Sequence, residues 1–245
     1  NLIILESTSP VGTTKSVSKI IKNLRPDLKF PHEGLDKPDI NISYCPERVI
    51  PGQTLKELVI NDRVIGGMTK NCSSKASKFY SIFVKGRCHQ TNAETAELSK
   101  LAENSFRDVN IAFANELSMI CDESNINPWE LIKIANRHPR VNILQPGPGV
   151  GGHCIAVDPW FVVASSKRAK LIKQAREVNL SKTKFVIKNL RKAVKDISKE
   201  KNLEPSKIKI AIFGIAFKAN IDDLRESPAL DITKDVVNNF DSSLL

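Results

Sequence analysis

No stretch of about eighteen consecutive apolar residues occurs in this chain, so nothing in it predicts a membrane-spanning helix. Cysteine is sparse and unpaired. The five residues, Cys45, Cys72, Cys88, Cys121 and Cys154, are widely scattered with no CxxC among them. That argues against a disulfide framework or a zinc site and for a reducing, cytoplasmic setting. The four histidines fall in no metal-ligand pattern, and no metal is expected. No signal peptide is expected either, because the chain opens directly on the strand-like NLIIL and a polar loop. Internal repeats and low-complexity tracts do not occur. The chain begins with Asn1 instead of Met and stops at DSSLL just after an amphipathic stretch. Both ends read as cut, and a segment of a longer protein is expected.

What is present suffices for a core: 245 residues, 41% of them apolar, can build one large domain or two smaller ones. The net charge of +10 raises the question of nucleic acid. Between Lys167 and Lys209, fifteen Lys or Arg face four Asp or Glu, a local balance of +11. One segment thus carries the whole excess. It has no interleaved aromatics and no nucleic-acid module, so it reads as a solvated helix face, with attraction of an anionic substrate as the second reading.

Apolar spacing gives the order of elements. Asn1–Leu5 predicts a strand and Thr13–Leu24 a helix, followed by a proline-bearing loop over Arg25–Pro38. Ile40–Tyr44, Arg63–Gly67 and Arg87–Thr91 predict strands, with a helix at Ser73–Phe83. Strands alternating with helices indicate a largely parallel α/β sheet. One long helix is expected over Ala93–Ser124, and a shorter one over Trp129–Ala135, capped by Asn127 with Pro128 at its first position. His138–Trp160, with four Gly and four Pro, reads as loop. Lys167–Lys199 predicts a second long helix with a seam of Leu171, Ala175, Val178, Val186, Leu190, Val194 and Ile197. Ile208–Gly214 reads as a buried strand, and a further helix starts at Ser227.

Three places could carry chemistry. The run Gly147-Pro148-Gly149-Val150-Gly151-Gly152 formally matches GxGxxG, yet no strand precedes it, no helix follows, and two prolines remove N–H donors that a pyrophosphate needs. Its glycines read instead as a cramped bend that presents Cys154, a poor place to bury a thiol. A free thiol with pKa near 8.5 needs help to ionise, and His153 and Asp158 are near in sequence. On the long helix, Lys100, Asn104 and Arg107 share a stripe, with Leu98, Leu101, Phe106, Val109, Phe113, Leu117 and Ile120 on the opposite side. A polar face alone explains that stripe, but a lysine and an asparagine there also suit an oxyanion and a hydroxyl. Thr8, Ser9 and Glu47 follow predicted parallel strands at their carboxyl ends, where ligands bind in open α/β sheets.

The runs STSPVG, CPERVIPG, ELSKLAENSFRDVNIAFANE, HPRVNILQPGPGVGGHCIAVDP and FKANIDDLRESPA resemble the UDP-glucose/GDP-mannose dehydrogenase family, from the first residue to about Asp231. The resemblance implies the remainder of a Rossmann-like NAD-binding domain over 1–91. It further implies a central long-helix dimerisation and catalytic region over 92–204 and the start of a second Rossmann-like, UDP-binding domain over 205–245. It implies NAD as cofactor, a UDP-sugar as substrate and a homodimer with a shared active site, without nucleic acid or membrane. Cys154 would be the covalent nucleophile, Lys100 would stabilise an oxyanion, Asp158 would organise water, and Glu47 would serve as acid or base. Substrate contacts would come from Arg48, Val49, Asn104, Arg107, Gly149, Gly151, Phe217 and Lys218, with His138 and Arg140 reaching into the neighbouring subunit. Thr8 and Arg225 would contact NAD. Pro51 stands where the UDP-glucose branch has a second glutamate, which favours a UDP-N-acetylhexosamine, in particular UDP-N-acetyl-D-mannosamine. UDP-N-acetylglucosamine and UDP-glucose are the rival substrates. A non-catalytic nucleotide-sugar-binding fragment and a nucleic-acid binder are rivals of other classes.

Overall fold

Leu2–Leu5, LIIL, is apolar at every position because both faces of the sheet it enters are covered. In the computed structural model it forms β1, which pairs in parallel with β2, Asn41–Tyr44. Ile3 and Leu5 pack on one face with Phe30, Ile40 and Ile42, while Leu2 and Ile4 pack on the other with Ile65, Ala76 and Tyr80. Helix α1, Thr13–Leu24, supplies Ile21 to the first face; α3, Lys70–Tyr80, supplies Ala76 and Tyr80 to the second. The structure describes residues 1–34, 37–49 and 52–239; Pro51 lies outside the described residues.

The sheet runs β1-β2-β3-β4, with β3 at Arg63–Gly67 and β4 at Cys88–Asn92. Two of its three pairings are parallel, as expected, but β2 and β3 are antiparallel, with Ser43 opposite Gly67 and Tyr44 opposite Gly66. The cause lies in the connection. It carries a short helix the sequence reading passed over, α2 at Thr54–Ile60, and returns the chain to the edge it left, not to the opposite one. Arg63 thereby begins its strand beside the end of β2.

The chain divides into two compact units, residues 1–103 and 104–245. The long helix α4, Ala93–Glu123, begins in the first and ends in the second. The second unit holds α5 (Pro128–Ala135), α6 (Asp158–Ser165), α7 (Lys170–Lys201) and α8 (Pro228–Asn239). The start of α5 matches its sequence signature: the Asn127 side chain accepts from the N–H groups of Trp129 and Glu130, and Pro128 takes the first position.

Two expectations fail in the second unit. Along α4 and α7 the buried positions are largely polar: Asn104, Asp108, Asn115 and Ser118 on one, Arg176, Asn179 and Lys182 on the other. Phe106, Phe113 and Ile120 of α4 are 70%, 57% and 51% exposed; of the predicted α7 seam Ala175 and Val194 are buried, while Leu171 and Ile197 are exposed. The polar groups are buried because they find each other. Arg176 pairs with Asp108 at 2.6 Å, Asn179 donates to Asp108, Asn115 donates to Asn179, and Lys182 donates to Ser118. The second failure is Ile208–Gly214, which forms no strand. A strand exists only where a neighbour completes its hydrogen bonds, and the described residues of this unit offer none. Phe213 is accordingly 94% exposed.

Candidate functional site

The first unit builds a rim from the carboxyl ends of its parallel strands. After β1 the chain turns through Glu6–Gly12; after β2 it turns through Cys45–Arg48. The ladder continues into both turns, with Cys45 N–H donating to Leu5 and Glu47 N–H to Glu6. Thr8, Ser9 and Glu47 therefore share one rim, as their places after adjacent strands predicted. Ser9 is buried, and its hydroxyl donates to Ser7. One Glu47 oxygen accepts from the Arg48 N–H; the other lies 3.3 Å from Nη1 of Arg63. Arg63 is 2% exposed and stacks over Tyr80, so the antiparallel turn of the sheet places a buried cation against the rim carboxylate. Beneath it, burial pushes the Cys45 thiol up to about 11, which makes that sulfur a packed hydrophobe. Arg48, one of the carried-over contacts, pairs with Glu103 at 2.9 Å. Val49 is half-buried, and Lys100 is half-buried on α4.

The second unit carries the thiol. Cys154 is the one exposed cysteine of the five. Its loop lacks regular structure from Arg140 to Val157 and is held from several sides. Gly147 N–H donates to Oδ1 of the fully buried Asn115. The Thr183 hydroxyl of α7 donates to the Pro148 carbonyl. Gly152 N–H donates to the Arg225 carbonyl. At Gly152, φ is +82°, and a Cβ would sit 2.7 Å from the Phe217 ring; at Gly151 one would sit 2.6 Å from the Phe217 Cβ. Only glycine fits that bend, first for its left-handed backbone and then for want of space.

Behind the thiol the chain enters α6. The Cys154 carbonyl accepts from the N–H groups of Val157 and Asp158. The Asp158 carboxylate, 4% exposed, accepts from the side-chain amide of Asn104. Asn104 and Asp158, read separately from sequence, are thus hydrogen-bonded neighbours within one turn of the exposed sulfur. Arg225 has its backbone beside Gly152, and its guanidinium forks onto Asp223. That contact holds the Asp223 carboxyl down at about 2 and raises Arg225, to which Cys154 adds a smaller electrostatic contribution. Phe217 joins the loop as described. Gly149 is half-buried within it, while Lys218 and Arg107 are exposed. His138 and Arg140 lie exposed after α5, where the Arg140 N–H donates to the His138 ring.

Sequence reasoning missed Arg63, Asn115 and Thr183. Nothing local marks them, since each acts on a residue distant in the chain.

Three models of one family cover successive parts of the chain, all of the UDP-glucose/GDP-mannose dehydrogenase family. Its NAD binding domain matches residues 1–84, its central domain 94–181 and its UDP binding domain 211–240. The chain is 61% identical over 236 residues to a UDP-N-acetyl-D-mannosamine dehydrogenase of Salmonella typhi, covering 96% of the chain and 56% of that protein. It is 59% identical to an NDP-N-acetyl-D-galactosaminuronic acid dehydrogenase of Ralstonia nicotianae, covering 97% of the chain and 54% of that protein. Among solved structures, a UDP-D-ManNAc dehydrogenase from Pyrococcus horikoshii superposes with a TM-score of 0.84 at 42% identity, over 98% of this chain and 55% of that one. The chain spans about half the length of the curated relatives it matches. Matched along three successive domains and by close relatives over nearly its whole length, the chain belongs to the UDP-glucose/GDP-mannose dehydrogenase family.

Proposed function

We propose that the full-length protein carrying this chain is an NAD-dependent dehydrogenase that oxidises the C6 alcohol of UDP-N-acetyl-D-mannosamine to the carboxylate. The observation that carries this reading is the single exposed sulfur, Cys154, on a glycine bend directly ahead of the buried Asn104–Asp158 pair. Close relatives named for that substrate support the choice of sugar, and a role in bacterial surface polysaccharide synthesis goes with it. The functional division is 1–91 for cofactor, 92–204 for dimerisation and catalysis and 205–245 for the start of the UDP site. The setting is the cytoplasm; among the described residues no helix is long and apolar enough to cross a membrane.

The residues present fit the reactive end of a dinucleotide better than its phosphates. Thr8 stands on the rim after a parallel strand, but the first amides of α1 are already bonded to Glu97 and cannot bind a phosphate. NAD, when bound, supplies the hydride acceptor for two successive oxidations. Between them Cys154 adds to the C6 aldehyde, giving a thiohemiacetal, and the second oxidation leaves a thioester that water cleaves. Overall one alcohol, one water and two NAD⁺ give one carboxylate, two NADH and three protons. Lys100 stabilises the oxyanion at C6. Asp158, steadied by Asn104, orients the water, and Glu47 moves its proton. Arg48, Val49, Asn104, Arg107, Gly149, Gly151, Phe217 and Lys218 hold the substrate, and Thr8 and Arg225 serve the cofactor side. The partner in a homodimer covers the apolar stripe of Phe106, Phe113 and Ile120, seven residues apart, and receives His138 and Arg140.

The test is acid formation by the full-length protein. Cys154→Ser abolishes it, and undiminished acid production would remove the covalent route. Lys100→Ala lowers kcat far more than it raises KM. Phe113→Asp yields monomers in sedimentation and loses activity with them; an unaltered sedimentation coefficient would break the dimer claim. The second substrate reading is a different UDP-N-acetylhexosamine, favoured by the relative named for galactosaminuronic acid. NADH formation from each sugar nucleotide in turn decides between them.

A further inference from the structure

Helix α1 has no cap of its own. Gly12 stands at its N-cap position without a side chain to offer, and a helix start leaves up to four N–H groups unpaired. The missing acceptor comes from far along the chain. Glu97 of α4, fully buried, accepts from Gly12 N–H at 2.6 Å, from Thr14 N–H at 2.7 Å and from the Thr14 hydroxyl at 2.6 Å. A carboxylate buried this deeply persists only where its charge is met, and here the positive end of the helix dipole and three donors meet it. Gly12 closes the turn that contains Thr8 and Ser9.

Three residues after Glu97 comes Lys100, and three after that comes Glu103, which holds Arg48 of the second rim turn. The lysine therefore sits between two carboxylates on successive turns, each fastened to a different rim turn. Glu103 makes a partly exposed ion pair, which contributes little. Glu97 makes the rigid joint.

We propose that Glu97 is a positioning residue for the proposed reaction: it locks the Thr8–Gly12 turn to the helical turn that presents Lys100, so that cofactor rim and oxyanion-stabilising ammonium keep one spacing. This rests on the dehydrogenase reading and deepens it. A misplacement of the order of 1 Å at such a joint costs on the order of a hundredfold in rate. Glu97→Ala in the full-length protein lowers kcat per folded molecule by about a hundredfold and raises KM for NAD, with KM for the UDP-sugar little changed. Glu97→Gln, which keeps one accepting oxygen, recovers part of both.

Thr69→Ala is the control, because it removes the ordinary cap of α3 in the same unit, where Thr69 accepts from Cys72 N–H. It lowers thermal stability while leaving kcat and both KM values at wild-type levels. Hydrogen exchange read without turnover shows loss of protection at the Gly12 and Thr14 amides in Glu97→Ala. If Glu97→Ala and Thr69→Ala lose stability alike and both keep wild-type kinetics, Glu97 is a structural cap only and the proposal is overturned. If the wild-type full-length protein forms no NADH from any UDP-sugar, the dehydrogenase reading itself has failed; if it does while Glu97→Ala keeps wild-type kinetics, only the role of Glu97 has.

Discussion

The Glu47 rim and the Cys154 loop present their side chains by opposite means. At the rim, backbone does the holding: the ladder between β1 and β2 runs on into both turns, and Glu47 points where its strand ends. At the loop, no ladder reaches the sulfur. Side chains distant in the chain hold it, chiefly the buried Asn115 on α4 and the half-buried Thr183 on α7, with the Arg225 carbonyl and the Phe217 ring closing the far side. A site hung from a sheet edge tolerates change in its supports, whereas one hung from a few long-range polar bonds depends on single residues.

The sharpest way to break this comparison is at Asp108. Asp108 and Arg176 are 0% and 2% exposed, and removing one partner strands the other. Asp108→Ala is expected to cost about 3–5 kcal/mol in urea unfolding, with the Cys154 loop losing amide protection along with α7. Asp108→Leu combined with Arg176→Met restores stability, because paired burial of charge is replaced by packing. Burial raises the Asp108 carboxyl above its usual range, and Arg176 only partly counters this. With the folded value above the unfolded one, its contribution is full below the unfolded value and is lost as pH rises through the folded one. The double variant lacks that decline. A single variant as stable as wild type would show that the polar seam carries no weight.

Next in size is Gly152→Ala. The left-handed backbone costs about 1–3 kcal/mol for a residue with a Cβ, and the new methyl meets the Phe217 ring. Thermal unfolding falls accordingly, and alkylation of Cys154 by iodoacetamide changes rate as the bend opens. An equivalent change at the rim, Ser9→Ala, moves neither. The smallest effect concerns Asp223. Its carboxyl is held at about 2 by Arg225, so this contact is complete above the ordinary carboxylate range and lost as pH falls through about 2. The Nε–H resonance of Arg225 should be constant from pH 7 to pH 5 and shift only in strong acid; movement near pH 5 would contradict the ion pair.

This contrast also explains what could be read from sequence. The helix at Thr13–Leu24 and the cap at Asn127 are local chemistry, and both stand where expected. Thr8 and Glu47 were legible because strand ends aim residues by rule. Cys154 was legible because glycine crowding leaves a thiol nowhere to hide. The inward face of α4 was not legible beyond Asn104: Asp108 and Asn115 read as solvent-facing until Arg176 and Asn179 are known to meet them. The antiparallel turn between β2 and β3 was hidden for a similar reason, since its cause is where a connection travels and not what its strands contain.

The extended stretch from Ile208 to Gly214 has a practical consequence. Its IKIAIFG sequence is a good zipper segment with few charges, and among the described residues its backbone from Ile210 to Gly214 forms no ladder. A neighbouring strand laid against this stretch would complete its hydrogen bonds, and Lys207 and Lys209 set like charges against pairing of one copy with another.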